Sequence, residues 1–168
     1  MKSDNYFQHN SGGLYHLSAG ALVYDRENRI LVHVFTGGIY TLIRETIEPN
    51  ESIEAAIHRG IGEEAGSTAE LVRYLGAITG AVRNVSSGVE FEKTVLFFAT
   101  RLLDWQPAQR DPDDEESISQ LQWHDPQELI SIMREQTKRT DFVDLDESVV
   151  IERFLQMEET SKGGNENA

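Results

Sequence analysis

One continuous stretch decides the fold of this chain: Glu45-Thr-Ile-Glu-Pro-Asn-Glu51-Ser-Ile-Glu-Ala-Ala-Ile-His-Arg59-Gly-Ile-Gly-Glu63-Glu64-Ala-Gly66. Ser52 is a residue type that caps the N-termini of helices, and Gly66 is the type that most often ends them. Between these two, four apolar residues recur at helical spacing and form one stripe: Ile53, Ala56, Ile57 and Ile61. The stretch therefore predicts an amphipathic helix between Ser52 and Gly66.

Two adjacent carboxylates, Glu63 and Glu64, end this predicted helix. Glu64 follows Ile61 by three positions and Ile57 by seven, so it falls on the apolar stripe. An ionised carboxylate in such a position is unfavourable unless it is paired or bound to a metal. The end of the helix is therefore a candidate metal site.

The stretch resembles the signature helix of the Nudix hydrolases. The family pattern runs Gly, five residues, Glu, seven residues, Arg-Glu, an apolar residue, any residue, Glu-Glu, any residue, Gly. The positions that match without a gap are Glu51, Arg59, Ile61, Glu63, Glu64 and Gly66. Two positions differ, because the leading Gly is Glu45 and the Glu after the Arg is Gly60. With its flanking segments, the resemblance covers about residues 18–129.

The resemblance implies an α+β fold, a Nudix-type α/β/α sandwich with a mixed central sheet. Apolar patterns outside the quoted stretch predict strands at residues 17–24, 29–35, 71–79, 91–103 and 118–123. A turn is expected at residues 25–28 and a hairpin loop at residues 81–90. Asp125-Pro126 is typical of a helix start, and apolar spacing predicts a further helix over residues 146–157.

The length of 168 residues suits one domain, which we place at residues 14–159. Residues 1–13 are polar and are expected to be a flexible N-terminal segment. Residues 160–168 are expected to be a disordered tail.

Composition narrows the class of function. The formal net charge of −14 argues against a nucleic-acid partner, whose phosphate backbone needs a basic surface. The chain has no cysteine, which excludes disulfides and thiolate metal sites. No long apolar run or signal-peptide pattern is present, so we expect a cytoplasmic protein without a membrane partner. The pattern does not indicate an oligomeric state.

The resemblance assigns Glu63 and Glu64 to metal binding and catalysis, with Mg²⁺ or Mn²⁺ as cofactor. Magnesium prefers oxygen ligands and usually shares them with water and substrate phosphates. Arg59 and Glu51 are expected to form a structural brace between the loop and the helix. The acidic loop at residues 107–117 is by default a solvated charge run, but in this family it often supplies a further ligand or the base. Glu116 is the residue that we expect in that role.

Candidate substrate-binding residues precede the signature helix. They are Arg44 and Tyr40. The rings of Tyr40 and Phe35 could stack on a base, with core packing as the equal alternative. Trp123 is expected to pack in the core. Three histidines are not expected to be catalytic: His33, His58 and His124.

Two functions follow from these residues. The first is a magnesium-dependent hydrolase of a nucleoside diphosphate linked to another moiety, acting on a small phosphorylated substrate that is a nucleotide derivative. The alternative is a catalytically weakened Nudix-fold module that binds a nucleotide or regulates a partner. The retained carboxylates favour the enzyme, whereas the missing Glu at Gly60 favours the module.

The two departures from the pattern also predict an experiment. If the site is otherwise intact, Gly60→Glu is expected to raise turnover. Glu45 could instead already replace the carboxylate that position 60 lacks, in a positional exchange that keeps the charge of the site constant. The simpler expectation is that Glu45 points to solvent and that the two changes are unrelated.

Overall fold

A computed structural model describes residues 7–8, 14–83, 88–139, 142 and 144–163. These residues form the strands β1 (Phe7–Gln8), β2 (Leu14–Tyr24), β3 (Ile30–Phe35), β4 (Ile39–Thr41), β5 (Ile43–Thr46), β6 (Thr68–Arg83), β7 (Glu90–Asp104) and β8 (Gln120–His124). The helices are α1 (Ile53–Ala65), α2 (Pro126–Gln136) and α3 (Ser148–Gly163). Two short 3₁₀ turns, Pro107–Gln109 and Glu115–Ile118, lie between β7 and β8.

The described strands form one mixed sheet. Its main path is β4-β3-β2-β7-β6, and β1 and β5 pair with β2 while β8 pairs with β3. The pairing of β2 with β7 is parallel, and the other pairings are antiparallel. Glu45 of β5 lies opposite Ala19 of β2, and residues 47–52 connect β5 to α1.

The sheet separates two apolar cores. On one face, buried residues of α1 pack against β2, β3 and β5; the cluster contains Ala56, Ile57, Ile61 and Ala65 with Ala19, Ala21, Val23, Leu31 and Ile43. On the other face, α2 and α3 cover β7 and its neighbours through Leu129, Ile130, Met133, Val150, Ile151 and Phe154. Helices on both faces of a mixed sheet confirm the predicted α/β/α sandwich.

Both predicted ends of α1 are confirmed. The Ser52 hydroxyl accepts a hydrogen bond from the backbone N–H of Ala55 at 3.1 Å. Gly66 adopts the left-handed conformation, with φ at 61°, and its N–H donates to the carbonyl of Gly62 at 2.9 Å. The apolar stripe is buried as predicted except at Ile53, which is exposed at the first helical position.

Several strands differ from the prediction, among them β2, which begins at Leu14. β4 and β5 were not predicted, because strands of three and four residues are too short to show a periodic pattern. β6 is longer than the predicted strand at both ends and reaches into the segment predicted as a hairpin loop. The centre of that loop, residues 84–87, lies outside the described residues.

The predicted C-terminal tail was wrong for residues 160–163, because these residues continue α3. Arg73 of β6 contacts this end of the helix, donating to Glu158 Oε1 at 2.6 Å and to Ser161 Oγ at 3.4 Å. Phe7–Gln8 within the predicted N-terminal segment pair with β2, and the rest of residues 1–13 and 164–168 are outside the described residues. None of the described helices combines the length and apolarity that crossing a bilayer requires.

Candidate active site

The carboxylate of Glu64 is the centre of the candidate site. Its residue is only 1% exposed, on the face of α1 that packs against the sheet. Burial raises the pKa of Glu64 well above its usual value, and the charges of Glu116, Glu45 and Asp114 raise that pKa further. The fold therefore holds a buried carboxylate close to three other acidic side chains, which costs stability unless a cation compensates.

His33 of β3 contacts this carboxylate. Its Nε2 atom lies 2.8 Å from Glu64 Oε2, and its Nδ1 atom lies 2.7 Å from the Ser119 hydroxyl. Among the described residues, Nε2 has no aligned hydrogen-bond partner although it is buried. Burial lowers the pKa of His33 to about 3, and the charges of Arg110 and Arg44 contribute to that decrease. A neutral imidazole therefore faces Glu64.

Arg110 positions the loop that carries Glu116. Its guanidinium donates to the backbone carbonyl of Glu116, and its Nη1 donates to the carbonyl of Ser119 at 2.9 Å. One residue later, the backbone N–H of Asp111 donates to the carbonyl of Glu63 at 2.9 Å. The loop between β7 and β8 is thus fixed to the C-terminal end of α1, and it brings the charge of Glu116 close to Glu64.

The predicted contact between Arg59 and Glu51 is present. Arg59 Nε and Nη2 donate to the two carboxylate oxygens of Glu51, each at 2.9 Å. Nη2 also donates to the carbonyl of Thr46 at 2.8 Å, which joins α1 to the end of β5. Nη1 faces two further carboxylates, at 3.0 Å from Glu45 Oε2 and 3.3 Å from Glu63 Oε2. The guanidinium therefore ties the loop, the strand and the helix together.

The expectation that Glu45 points to solvent was wrong. Its side chain is only 16% exposed and lies between β5 and α1. A Cβ atom placed on Gly60 would lie 2.8 Å from Glu45 Cβ, which is closer than two carbon atoms can approach. Burial raises the pKa of Glu45, although the Arg59 guanidinium opposes that increase. Glu45 thus occupies the space that a side chain at position 60 would need.

The remaining predicted metal ligand, Glu63, has a side chain that is 39% exposed at the same helix end. In the described part of the chain, no three His, Asp or Glu side chains converge closely enough to enclose an ion by themselves. Magnesium does not require such a cage, because water and substrate phosphates usually complete its octahedral shell. The oxygen donors of Glu63 and Glu64 and the uncompensated burial of Glu64 fit a hard divalent cation.

The prediction of Arg44 as a substrate-binding residue needs a correction. Its Nη1 and Nη2 atoms donate to the two carboxylate oxygens of Asp144, each at 2.9 Å, and Nη1 lies 3.3 Å from Glu147 Oε1. Such a bidentate pair uses the donor face by which an arginine would bind phosphate. Arg44 therefore has a structural ion-pair role on the face of the sheet opposite α1.

Tyr40 also differs from its predicted role. Its ring packs against the core between the sheet and α2–α3, in an edge-on contact with His124 at a centroid distance of 5.5 Å. Its backbone N–H and carbonyl both bond to the side-chain amide of Gln136, at 2.9 and 2.8 Å. The core-packing alternative is therefore the one that applies to Tyr40, and Phe35 stacks at a tilt on His33.

The other aromatic and histidine side chains agree more closely with expectation. Trp123 packs edge-on against Trp105, at 5.3 Å between ring centroids, beside the core under α1. His58 is on the exposed side of α1 and lies 3.8 Å from Glu54. Neither His58 nor His124 contacts Glu64 in the described structure, whereas His33 does.

A buried polar cluster lies near Arg44, and it makes the stability of the fold depend on pH. His16 of β2 is 2% exposed, with Nε2 at 3.1 Å from the Thr46 hydroxyl. Burial lowers the pKa of His16 to about 4, and the positive charges of Lys93 and Arg44 add to the decrease. The unfolded chain binds a proton at this histidine more tightly than the folded protein does. The fold therefore has its full stability above the unfolded pKa of about 6.5 and loses stability as the pH falls toward the folded pKa.

We therefore expect His16→Gln to lose less stability than the wild type between pH 7 and pH 4. The difference is expected to approach about 3 kcal/mol, since one pKa unit corresponds to about 1.4 kcal/mol. Urea unfolding of both proteins at the two pH values measures it. His58→Gln replaces an exposed histidine and should follow the wild-type curve; equal pH dependence of all three proteins would contradict the prediction.

Several residues of the site were missed by sequence reasoning. His33 shares one face of β3 with Leu31 and Phe35, so its inward orientation could be predicted, but the element that it faces could not. Arg110 and Ser119 belong to a loop whose path has no periodic signal. Glu45 was expected to point to solvent, because its burial depends on the pairing of β5 with β2.

A family model described as NUDIX domain matches residues 14–145. No significant match was found among curated protein sequences. Among solved structures, a MutT protein from Methanosarcina mazei Go1 has a TM-score of 0.56 at 16% identity, with 86% of this chain and 95% of that chain covered.

Two further structures are similar to the same extent. A NUDIX hydrolase from Nitrosomonas europaea has a TM-score of 0.57 at 18% identity, and the alignment covers 83% of this chain and 88% of that one. A C. elegans Ap4A hydrolase in a binary complex has a TM-score of 0.57 at 16% identity, covering 86% and 98%. At these identities the likeness concerns the fold.

Proposed function

The chain belongs to the NUDIX domain family, and we propose that it is a divalent-metal-dependent hydrolase of a nucleoside diphosphate linked to another moiety. The observation that carries this proposal is the burial of Glu64 beside the charges of Glu116, Glu45 and Asp114. A fold that only had to bury α1 would be more stable with an apolar residue at this position. A bound cation would compensate the buried negative charge, which explains a carboxylate at this position.

In this proposal Glu63 and Glu64 hold Mg²⁺ or Mn²⁺ at the end of α1. When bound, the ion would shield the negative charge of a diphosphate and help to orient a water molecule toward phosphorus. Arg59 keeps Glu63 and the loop in position through its contacts with Glu51 and the carbonyl of Thr46. The neutral imidazole of His33 stays beside Glu64 and restricts its rotation.

The proton of the attacking water needs an acceptor, and we assign that role to Glu116. The loop bonds of Arg110 place this side chain close enough to Glu64 to influence its pKa. The water oxygen forms a bond to phosphorus while the bond from phosphorus to the bridging oxygen breaks. The proton passes to the carboxylate, and the bridging oxygen leaves as part of the second phosphate product.

The alternative, a weakened Nudix-fold binding module, rested on the missing glutamate at position 60. That argument loses force because the space of the missing side chain is occupied by another carboxylate, Glu45. The two functions differ in one observable: a module binds a nucleotide derivative without releasing phosphate.

The full chain should therefore be incubated with a panel of nucleoside triphosphates, dinucleoside polyphosphates and nucleoside diphosphate sugars, and product release measured with Mg²⁺ or Mn²⁺. We expect cleavage of at least one compound class and loss of cleavage when EDTA removes the metal. Binding of a nucleotide by calorimetry without hydrolysis of any panel member would favour the module. Cleavage that persists in EDTA would contradict the metal dependence.

The remaining features of the proposal come from the sequence. The strongly acidic chain is proposed to act on a small phosphorylated substrate rather than on nucleic acid, because its net charge of −14 repels a phosphate backbone. A cytoplasmic location and the absence of a membrane partner also stay predictions.

A further inference from the structure

Glu45 and Gly60 are coupled in space although they are fifteen positions apart in the sequence. The main-chain pairing of β5 with β2 directs Glu45 toward α1, where Gly60 forms part of the buried helix face. A Cβ atom at position 60 would lie 2.8 Å from Glu45 Cβ and 3.4 Å from both Glu45 Cγ and Glu64 Oε1. Only a glycine at position 60 leaves room for Glu45 in its present place.

The carboxylate of Glu45 is held in a defined orientation. Its Oε1 atom accepts a hydrogen bond from the backbone N–H of Thr46 at 2.7 Å, and its Oε2 atom lies 3.0 Å from Arg59 Nη1. The same Nη1 atom lies 3.3 Å from Glu63 Oε2. Arg59 therefore brings Glu45 and Glu63 to one nitrogen atom, while the Cβ position of residue 60 lies between Glu45 and Glu64.

A purely structural role does not account for Glu45. Arg59 already has a bidentate partner in Glu51 and a carbonyl partner in Thr46. Adding a second, largely buried carboxylate next to Glu64 introduces like-charge repulsion as well as a desolvation cost. An uncharged side chain at position 45 would avoid both costs.

A separate observation indicates a ligand at this place. His33 is completely buried, its Nε2 atom lies 2.8 Å from Glu64 Oε2, and in the described structure that nitrogen has no aligned hydrogen bond. Buried polar atoms without an aligned hydrogen bond are uncommon and are concentrated where an ion, water or catalytic role explains them. The misaligned contact between His33 and Glu64 and the surplus of negative charge are both located around the Glu64 carboxylate.

We propose that Glu45 is a third carboxylate of the divalent-cation site, delivered by β5 rather than by the helix, and that Gly60 is present to admit it. This inference rests on the proposed metal-dependent function. The carboxylate of Glu45 acts on the cation directly or through a bound water. Together with Glu63 and Glu64 it gives the site three carboxylates. The two differences from the family pattern are then linked: the carboxylate gained at Glu45 compensates the one missing at Gly60.

The first test is metal affinity, measured by calorimetric titration of the full-length protein with Mn²⁺. Glu45→Gln keeps the size of the side chain and removes its charge, and we expect about 10–100-fold weaker binding, the range found when groups that support a metal site are removed. Glu64→Gln is expected to weaken binding at least as much. Glu54→Gln is the matched control, because that carboxylate is on the same helix but 71% exposed and away from the site.

The second test is a pair of identical substitutions two positions apart. Gly60→Glu must displace Glu45, so we expect a lower melting temperature and weaker Mn²⁺ binding than in the wild type. Gly62→Glu has open space around its Cβ position and should keep both properties. Glu45→Gly/Gly60→Glu removes the overlap and returns a carboxylate to the helix, and it should bind Mn²⁺ more tightly than either single variant.

The expected effect of Gly60→Glu is now the reverse of the one predicted from the sequence, because Glu45 occupies the space beside position 60. Wild-type Mn²⁺ affinity in Glu45→Gln, with weakened affinity in Glu64→Gln, would overturn the inference and leave the proposed function intact. A Gly60→Glu protein as stable as Gly62→Glu would overturn the spatial coupling. Weakened Mn²⁺ binding in Glu45→Gln together with no hydrolysis of any panel substrate would support the inference and count against the hydrolase.

Discussion

Glu64→Gln is expected to abolish most of the hydrolytic activity while making the metal-free protein more stable. Glutamine has nearly the same shape and can fill the same buried space, but it carries no charge for a cation. Loss of one such charged group from a preorganised site is expected to lower kcat by a factor on the order of 10²–10³. Glu54→Gln, at an exposed position of the same helix, should retain wild-type turnover.

The metal-free Glu64→Gln variant is expected to be more stable because folding of the wild type is linked to proton binding by Glu64. Burial and the charge of Glu116 raise the pKa of Glu64, so the folded protein holds a proton that the unfolded chain releases above its ordinary pKa. Metal-free stability is therefore lost as pH rises above about 4.5, and the glutamine variant lacks this loss. At pH 8 without metal we expect its melting temperature to be higher by at least about 2–4 °C, the shift that 1 kcal/mol causes in a chain of this size.

Thermal unfolding in EDTA and steady-state turnover on the best panel substrate measure the two effects. Saturating Mn²⁺ should raise the melting temperature of the wild type and change that of the variant much less, because only binding to the folded state adds stability. A variant that is both less stable and less active would instead assign Glu64 to packing. A fully active variant would exclude it from the reaction.

Gly66→Ala is expected to be the most destabilising single methyl addition near the site. The residue has a positive φ of 61°, and a Cβ atom there would lie 2.4 Å from the backbone nitrogen of Arg110 and 2.5 Å from the carbonyl oxygen of Gln106. The strained conformation costs about 1–2 kcal/mol and the overlap about 1–3 kcal/mol, so the total loss is about 2–5 kcal/mol. Both contacts are with backbone atoms, which cannot rotate away as a side chain does.

The same substitution should also reduce activity in the molecules that stay folded. The loop that approaches Gly66 continues through Arg110 to Glu116, and it bonds to the helix through Asp111 and Glu63. Moving this loop by even a few tenths of an ångström changes the position of Glu116 relative to Glu64. We therefore expect kcat to fall well below the wild-type value at a temperature where both proteins are folded.

Gly62→Ala is the matched control for this prediction. It adds the same methyl group to the same helix, but nothing lies within 4 Å of the new atom. Alanine is favoured over glycine in a helix interior by up to about 1 kcal/mol, so this variant should be as stable as the wild type or more stable. Chemical unfolding of the three proteins measures the difference, and equal stability of the two alanine variants would contradict the close approach at Gly66.

The extent of α1 could be predicted from the sequence because its signals are local. A cap at Ser52, an apolar stripe and a terminating Gly66 act over a few neighbouring residues, and the structure has the helix between them. The burial of Glu64 followed from the same spacing, since a position on the apolar stripe must face the core. The positions of the long strands along the chain could also be predicted, because continuous or alternating apolar patterns do not depend on which strands pair.

The contacts that complete the site could not be predicted in this way. His33 meets Glu64 because α1 packs on the face of the sheet to which the side chain of His33 points, and Arg110 meets Ser119 through the course of an irregular loop. The sequence alone left two possibilities open for Glu45, and the pairing of β5 with β2 chose the buried one.

For Arg44, the sequence suggested a contact, whereas the tertiary structure supplies different partners. Its position before the signature helix suggested a substrate contact, but Asp144 and Glu147, about one hundred residues later in the chain, bind its guanidinium. Local sequence thus determined where α1 and the long strands lie along the chain and which face of α1 is buried, because those properties depend on near neighbours. Which charged groups meet around Glu64, and why position 60 is a glycine, was decided only by the tertiary structure, because those contacts join residues that are brought together by folding.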